Sequence, residues 1–247
     1  MNITPVEESL ELPEELLEIF DDIKLLCAFE GSRNQIFASY SIAFTMNGRS
    51  FPLGLIIEYL NQSASRYFIA LSEVVCLYIS INFRHALIGG TKDGSLLLWD
   101  LRDSNLLHAK NIHEIVNKIK EKEAGRYGDK FIYRFSNYST DYLGENGHNS
   151  SIIKIKDTYS SKNVYEVFSL DEFGKVINWN IAILNKFDVN QTFSDPGMNF
   201  DSKIKLVKIA QFEIGEHYSR LNEALLCSDM DIDKQGTKYL DLLLIYS

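Results

Sequence analysis

No apolar run in this sequence approaches the ~18 residues that a helix needs to cross a bilayer. The first fifteen residues, MNITPVEESLELPEE, are acidic and lack an apolar core, so no secretory signal is predicted. Basic residues are the minority, with 25 lysines and arginines against 34 acidic residues and a net charge of −9. Because such a surface repels phosphate backbones, nucleic acid is not expected as a partner.

Cysteine is also scarce. Cys27, Cys76 and Cys227 are far apart in the sequence, and each is flanked by apolar residues. An odd number of cysteines without pairing spacing predicts buried, reduced thiols in a reducing compartment, which points to the cytoplasm. The remaining composition is that of a globular protein, with 45% hydrophobic and 24% charged residues. That is enough apolar mass for one large core or two small ones.

The N-terminal part, residues 1–24, is predicted to be an acidic helical segment. Pro13 suits a first helical turn, and the apolar residues between 7 and 26 recur at helical spacing. These apolar residues are Leu12, Leu16, Ile19, Phe20 and Ile23. The pattern predicts a surface helix with one buried stripe, and a docking helix for a basic partner is the alternative.

Residues 25–247 show a different pattern, in which short apolar runs are separated by turn residues. Many short strands at this spacing predict an all-β sandwich, barrel or propeller. Residues 103–146 interrupt the pattern and are interpreted as an insertion with one helix, capped at Asn111 and ending at Gly125, followed by a loose loop. The predicted strands are Leu25–Phe29, Gln35–Phe44, Leu53–Tyr59, Arg66–Leu71, Val74–Ile81, Ala86–Ile88, Leu96–Leu101, Ser151–Ile155, Val164–Leu170, Val176–Ile181, Ile204–Phe212, Ala224–Cys227 and Tyr239–Tyr246.

Two stretches of the chain repeat one pattern. Residues 86–101 read ALIGGTKDGSLLLWDL and residues 166–181 read EVFSLDEFGKVINWNI. Each is an apolar strand, a tight turn closing on glycine, and a second apolar strand with tryptophan five residues after the glycine. The matched positions are Gly94 and Gly174, Trp99 and Trp179, and Asp100 and Asn180. Gly147-His148 and a further strand precede the second copy.

This pattern is the layout of a WD40 blade, which has a Gly-His pair, three strands and a Trp-Asp pair. Glycine supplies the positive φ of a hairpin turn, and tryptophan fills the space between neighbouring blades. One blade cannot bury both faces of its sheet, so it needs neighbours. We therefore predict a partial WD40-type β-propeller over residues 25–247, with about four blades, or five if residues 103–146 supply one.

The amino-acid sequence of these blades resembles that of the WD-repeat intermediate chains of dynein motors, and most of all those of the dynein-2 motor. The residues that carry the resemblance are GGTKDGSLLLWDLRDSNLLH (89–108), SLDEFGKVINW (169–179) and KIKLVK (203–208). The resemblance covers roughly residues 80–210 and implies a non-catalytic subunit. Such a subunit would hold the dynein heavy-chain tail together with other intermediate and light chains. The expected place is the cytoplasm, cilium and microtubule cytoskeleton, and the expected role is retrograde intraflagellar transport.

Catalytic and ligand motifs are weak in this chain. Gly89 and Gly94 have P-loop spacing, but Ser95 and Leu96 stand where lysine and Ser or Thr are needed. Asp229, Asp231 and Asp233 alternate as in a calcium loop, but the loop's glycine and final glutamate are missing, so a polar hairpin tip closing at Gly236 is the preferred interpretation. No cofactor, metal site or enzyme activity is predicted. The alternatives to a dynein subunit are a general WD40 adaptor and, with least support, an enzyme.

Overall fold

The computed structural model describes residues 10–31, 34–46, 49–103, 133–157, 165–184, 195–199, 202–213, 225–232 and 240–246. In this part of the chain, the secondary structure consists of strands, one short α-helix and one 3-10 helix. The prediction of an all-β protein is therefore confirmed.

The strands form four sheets. Sheet 1 has the order β1-β2-β3-β4-β8, sheet 2 is β5-β6-β7-β9, sheet 3 is β10-β11-β12-β13, and sheet 4 is β14-β15. Every pairing is antiparallel except that of β4 with β8. The strands are β1 Asp21–Glu30, β2 Gln35–Met46, β3 Arg49–Leu60, β4 Ser63–Ala70, β5 Val74–Ile79, β6 Ala86–Thr91, β7 Leu96–Asp100, β8 Tyr133–Arg134, β9 Tyr138–Ser139, β10 Ile152–Asp157, β11 Glu166–Asp171, β12 Lys175–Ile183, β13 Ile204–Glu213, β14 Leu225–Ile232 and β15 Leu240–Tyr246.

Sheet 2 is covered on both faces, which explains why its sequence is continuously apolar instead of alternating. Every residue of β6 and β7 is buried. One face packs on sheet 1 through Phe37, Ile56, Phe68, Val74, Leu87 and Trp99. The other face packs on sheet 3 through Ile88, Leu96, Leu98, Ile152, Ile177 and Trp179. Each tryptophan therefore fills the gap to the sheet that precedes its own, which is the position expected of a spacer between blades.

Successive sheets also touch through their first strands. β1 lies beside β5, β5 lies beside β10, and β10 lies beside β14. Sheets 2 and 3 pack directly on each other, so Trp99 and Trp179 lie in adjacent sheets although they are far apart in the sequence.

The predicted N-terminal helix is much shorter than its apolar spacing suggested. The helix α1 spans only Glu14–Ile19, and the chain enters β1 at Asp21. The apolar residues that follow the helix pair with β2, because burial in a sheet outweighs the weak preference of a short sequence for helix. Residues 1–9 lie outside the described residues. Leu16 and Ile19 of the helix, and Phe20 directly after it, are buried on the face of sheet 1 opposite sheet 2.

The insertion over 103–146 is more ordered at its end than predicted. The helix expected at 111–125 lies outside the described residues. Residues 133–146, expected to be a loose loop, contribute β8 to sheet 1 and β9 to sheet 2, followed by a 3-10 helix at Asp141–Asn146. The side chains of Tyr133, Phe135 and Tyr138 are buried, and this burial holds the segment in place.

In the described part of the chain, no helix has the length and apolar character that a membrane span requires. The outer strand β13 carries exposed apolar side chains near its end, at Val207, Ile209 and Phe212.

Candidate functional site

Two hairpin turns hold the repeated motif in the same conformation. Gly94 has φ of 93° and Gly174 has φ of 85°, in the left-handed region that only glycine adopts at little cost. Space is also short at Gly94, because a Cβ there would lie 2.6 Å from the carbonyl oxygen of His148. The turn of sheet 2 therefore rests directly on the loop that leads into sheet 3.

A buried chain of side-chain hydrogen bonds connects strands of sheet 3 with the loop that precedes the sheet. The indole N–H of Trp179 donates to Ser169 Oγ at 2.7 Å, and Ser169 Oγ lies 2.6 Å from His148 Nε2. The other ring nitrogen, His148 Nδ1, lies 3.0 Å from Asp171 Oδ2. With a neutral imidazole whose proton is on Nδ1, Ser169 Oγ accepts from Trp179 and donates to His148, which in turn donates to Asp171. Trp179, Ser169, His148 and Asp171 are called the relay below.

The carboxylate that ends the relay also holds its own turn. Asp171 Oδ1 accepts the backbone N–H of Phe173 at 3.1 Å and that of Lys175 at 2.8 Å. This is the backbone bonding expected of a short acidic side chain in a turn. Asp171 therefore joins the β11–β12 turn to the loop that carries His148.

Burial keeps the imidazole of the relay neutral. The pKa of His148 is lowered below its ordinary value of 6.5, chiefly because burial disfavours the charged ring. The hydrogen bond to Asp171 acts in the opposite direction but is the smaller influence. A neutral ring is the form that can accept from Ser169 while donating to Asp171, so the relay keeps a fixed direction.

Gly147, which precedes His148, stabilises the structure through its carbonyl group. Gly147 ends the 3-10 helix with φ of −92°, which other residues adopt freely, so its backbone does not demand glycine. Its carbonyl oxygen accepts from the ammonium of Lys175, which also donates to the carbonyl of Glu145 at 3.2 Å. Lysine at the end of a helix turn satisfies carbonyl groups that lack a partner within the helix.

Sheet 2 has the same register as sheet 3 but no relay. The pair Val74–Thr91 in sheet 2 corresponds to Ile152–Asp171 in sheet 3, and the same bulge follows each pair. Counting from these pairs, Ala70 stands in the place of His148, Gly89 in the place of Ser169 and Thr91 in the place of Asp171. Among the described residues, the indole N–H of Trp99 has no hydrogen-bond partner.

Close packing replaces the relay in sheet 2. A Cβ on Gly89 would lie 3.0 Å from the ring of Trp99, so glycine lets the indole approach the β6 backbone closely. A Cβ on Gly90 would lie 2.6 Å from Cγ2 of Ile152, so glycine also lets sheet 3 approach closely. Of the two glycines with P-loop spacing, Gly89 is therefore a buried strand residue with a packing role, and Gly94 lies in the hairpin turn.

The polar residues after the two tryptophans fix local turns. Asp100 accepts from the backbone N–H of Arg102 at 3.0 Å and forms a two-point ion pair with its guanidinium, with Nε at 2.9 Å and Nη2 at 2.8 Å. That guanidinium also lies 4.9 Å from the ring centre of Phe83. In sheet 3, Asn180 takes the place of Asp100 and accepts the backbone N–H of Tyr165 at 3.2 Å.

A second buried carboxylate, which no sequence motif marks, joins sheets 2 and 3. Asp157, at the end of β10, accepts from Tyr78 Oη at 2.5 Å and from Ser80 Oγ at 2.8 Å, both on the strand end of sheet 2. It also accepts the backbone N–H of Ile81 at 2.6 Å. Ser169 was missed in the same way, because a serine within an apolar strand carries no signal of its partner.

The remaining chemical motifs do not form sites. Asp229 and Asp231 lie in β14 instead of at a hairpin tip, and Asp229 pairs with Lys154 at 2.8 Å. Asp233 and Gly236 lie outside the described residues. Among the residues described, no group of three or more His, Cys, Asp or Glu side chains could hold a metal ion. The relay contains a histidine beside a serine and a carboxylate, but all are buried and each is used by its neighbours.

Two proteins of known identity are similar to this chain. "Cytoplasmic dynein 2 intermediate chain 1" of Homo sapiens is 26% identical over 169 residues, which is 60% of this chain and 14% of the human protein. "Cytoplasmic dynein 2 intermediate chain 1" of Mus musculus is 26% identical over 175 residues, which is 62% of this chain and 16% of the mouse protein. The match thus spans about a seventh of the length of each relative. No family model matches the chain.

Proposed function

We propose that this chain is part of a non-catalytic scaffold subunit of a dynein motor, in which a WD40-type propeller region binds the heavy-chain tail and supports retrograde intraflagellar transport. The observation that carries the proposal is the similarity to the human dynein-2 intermediate chain over 60% of this chain. The partners are a dynein heavy chain and other intermediate or light chains. The proposed place is the cytoplasm, with the cilium and the microtubule cytoskeleton.

The arrangement of the sheets supports the propeller part of the proposal. In a propeller, four-stranded sheets repeat around an axis, and their first strands are nearest to that axis. Sheets 2 and 3 share their register, and the first strands of successive sheets are neighbours. The proposed region is partial because α1 covers the face of sheet 1 on which a closing sheet would pack.

A scaffold role is supported by how the polar groups are used. In an enzyme, a histidine next to a serine and a carboxylate would have to reach a substrate. Here His148 and Asp171 are 6% and 2% exposed, and both are bonded within the sheet. The exposed apolar side chains of β13, at Val207, Ile209 and Phe212, are instead the kind of surface that protein partners cover.

Recovery of dynein subunits with the tagged full-length chain from ciliated cells tests this function. The expected result is co-purification of a dynein heavy chain. A paired substitution, Ile209→Ser with Phe212→Ser, is expected to reduce recovery if β13 takes part, and the matched control Glu213→Gln is expected to leave it unchanged. Absence of any heavy chain from the recovered proteins would contradict the proposal.

A general WD40 adaptor outside dynein is the second candidate. The repeated register of sheets 2 and 3 favours it, because that register would be the same in any WD40 protein. This candidate predicts stable complexes without a heavy chain and the same partners in cells with and without cilia.

A further inference from the structure

A cleft lies between sheets 1 and 2 at the place where sheet 3 has its relay. Its volume is about 220 Å³. Ala70 and Thr91, which stand in the places of His148 and Asp171, both line it. In sheet 3 the relay fills the space between the loop before the first strand and the hairpin turn. The shorter side chains of Ala70 and Thr91 cannot span this space in sheet 2, so a cleft remains there.

The lining of the cleft is acidic and rich in hydroxyl groups. Two carboxylates, Asp93 and Asp141, stand at its exposed rim, and the described residues of the lining include no lysine, arginine or histidine. The nearby Lys92 is turned away to Glu73, with a separation of 2.8 Å. The cleft therefore has a negative electrostatic potential, which favours a cation.

Several polar groups belong to the lining. Ser72, Ser95 and Ser136 contribute hydroxyl groups, and Asp141 contributes a carboxylate. Asp93 already accepts the backbone N–H of Ser95 at 3.2 Å, which fixes the position of its carboxylate. A fixed carboxylate loses little freedom when it binds a cation, so it is well suited to recognition.

The floor of the cleft is apolar, and the volume of the cleft is too small for a cofactor. Ile69, Leu97 and Phe135 form part of the lining, and Phe135 is buried. Small-molecule sites usually measure about 300–1,000 Å³, so the volume here suits one side chain better than a nucleotide or drug-sized molecule. Lysine and arginine side chains fit such a cleft, because their aliphatic stem can pack on the apolar residues while their charged group reaches the acidic ones. An aromatic ring together with two carboxylates in the lining favours the planar guanidinium.

We propose that this cleft binds a basic side chain, preferably arginine, of a partner polypeptide. The stem of the side chain lies on Leu97 and Phe135, and the guanidinium reaches Asp93 and Asp141. Sheet 3 cannot offer an equivalent site, because its relay fills the corresponding space. Binding at this cleft does not depend on the assignment to a dynein motor.

Titration of the 15N-labelled full chain with N-acetyl-arginine methylamide tests the proposal. The neutral isostere N-acetyl-citrulline methylamide is the matched probe. Saturable shifts are expected at the amides of Ser72, Ser95 and Gly197, and binding of the citrulline compound should be at least tenfold weaker. Equal binding of both probes, or shifts spread over the acidic surface, would overturn the proposal.

Variants connect the binding to the two carboxylates. Asp93→Asn with Asp141→Asn keeps an acceptor for Ser95 and should weaken arginine binding at least tenfold, whereas Glu213→Gln on sheet 3 should change it less than twofold. If the double variant melts abnormally, Ser72→Lys replaces it, since a lysine within the cleft should compete with the probe and abolish its binding. Unchanged binding in a folded variant of either kind would refute the site.

Discussion

Sheets 2 and 3 share a register, a bulge, a glycine turn and a buried tryptophan, yet their interiors are held by different means. In sheet 3 a relay from Trp179 to Asp171 connects two strands, a loop and a turn. In sheet 2 glycine, alanine and threonine take the places of Ser169, His148 and Asp171, and Trp99 lies on the backbone of Gly89. One strand geometry can thus be stabilised either by a satisfied polar network or by close apolar packing.

The two solutions differ in their sensitivity to change. A buried polar network is stable only while every member has its partner, because an unpaired group in a low-dielectric interior is costly. Sheet 2 already tolerates one unsatisfied indole N–H. Substitutions at matched positions should therefore cost more in sheet 3 than in sheet 2.

The largest difference is expected between Asp171→Ala and Thr91→Ala. Loss of the Asp171 carboxylate leaves His148 and two backbone N–H groups without their acceptor. This should lower the free energy of unfolding by about 3–5 kcal/mol. Removal of the Thr91 hydroxyl, which accepts the backbone N–H of Ser95 at 2.8 Å, should cost about 1 kcal/mol. Urea unfolding of both variants measures the difference, and equal costs would contradict the comparison.

A smaller difference is expected between the two tryptophans. Trp179→Phe loses the hydrogen bond to Ser169, whereas Trp99→Phe removes a buried N–H that has no partner. The first substitution should therefore destabilise the protein by about 1–2 kcal/mol more than the second. Chemical denaturation at one pH and salt concentration compares the pair. A larger cost at Trp99 would show that the relay contributes little to sheet 3.

The pH dependence of stability should follow the histidine of the relay. The folded pKa of His148 lies below its ordinary value of 6.5, so the unfolded chain takes up a proton first as the pH falls. Stability should decrease below about pH 6.5 until the folded pKa is reached, with a slope of at most about 1.4 kcal/mol per pH unit from this group. His148→Gln should remove that part of the slope, and replacement of the exposed His85 serves as the control. An unchanged slope in His148→Gln would exclude this origin.

The smallest expected effect is a difference in alkylation rate between Cys76 in sheet 2 and a cysteine at the matched position 154 in sheet 3. Cys76 in sheet 2 takes the position that Lys154 has in sheet 3, and burial raises the pKa of Cys76 to about 12. Because the thiolate is the reactive form, iodoacetamide at pH 8 should label Cys76 slowly. The variant Lys154→Cys, at a half-exposed position, should be labelled faster at residue 154. Peptide mapping by mass spectrometry after a short pulse compares the two sites, and equal labelling would contradict the burial argument.

The strands were predictable from sequence because alternation, apolar runs and glycine turns are local signals. The register of sheet 2 against sheet 3 followed from the shared glycine and tryptophan positions. What could not be predicted depends on distant partners. The acceptor of the Trp179 N–H is a serine in another strand, and Asp157 finds its donors more than 70 positions earlier. The cleft beside Thr91 exists because the side chains of Ala70 and Thr91 are too short to fill it. Sequence alone does not show this, because the size of the space depends on the neighbouring strands and loops.

The short helix α1 has a consequence for how this molecule can associate. Its two buried apolar side chains, Leu16 and Ile19, lie on the one face of sheet 1 that sheet 2 leaves free. A helix and a further sheet cannot occupy that face together, so any ring that closes there must first displace the helix. The six residues from Glu14 to Ile19 would then set a barrier to ring closure.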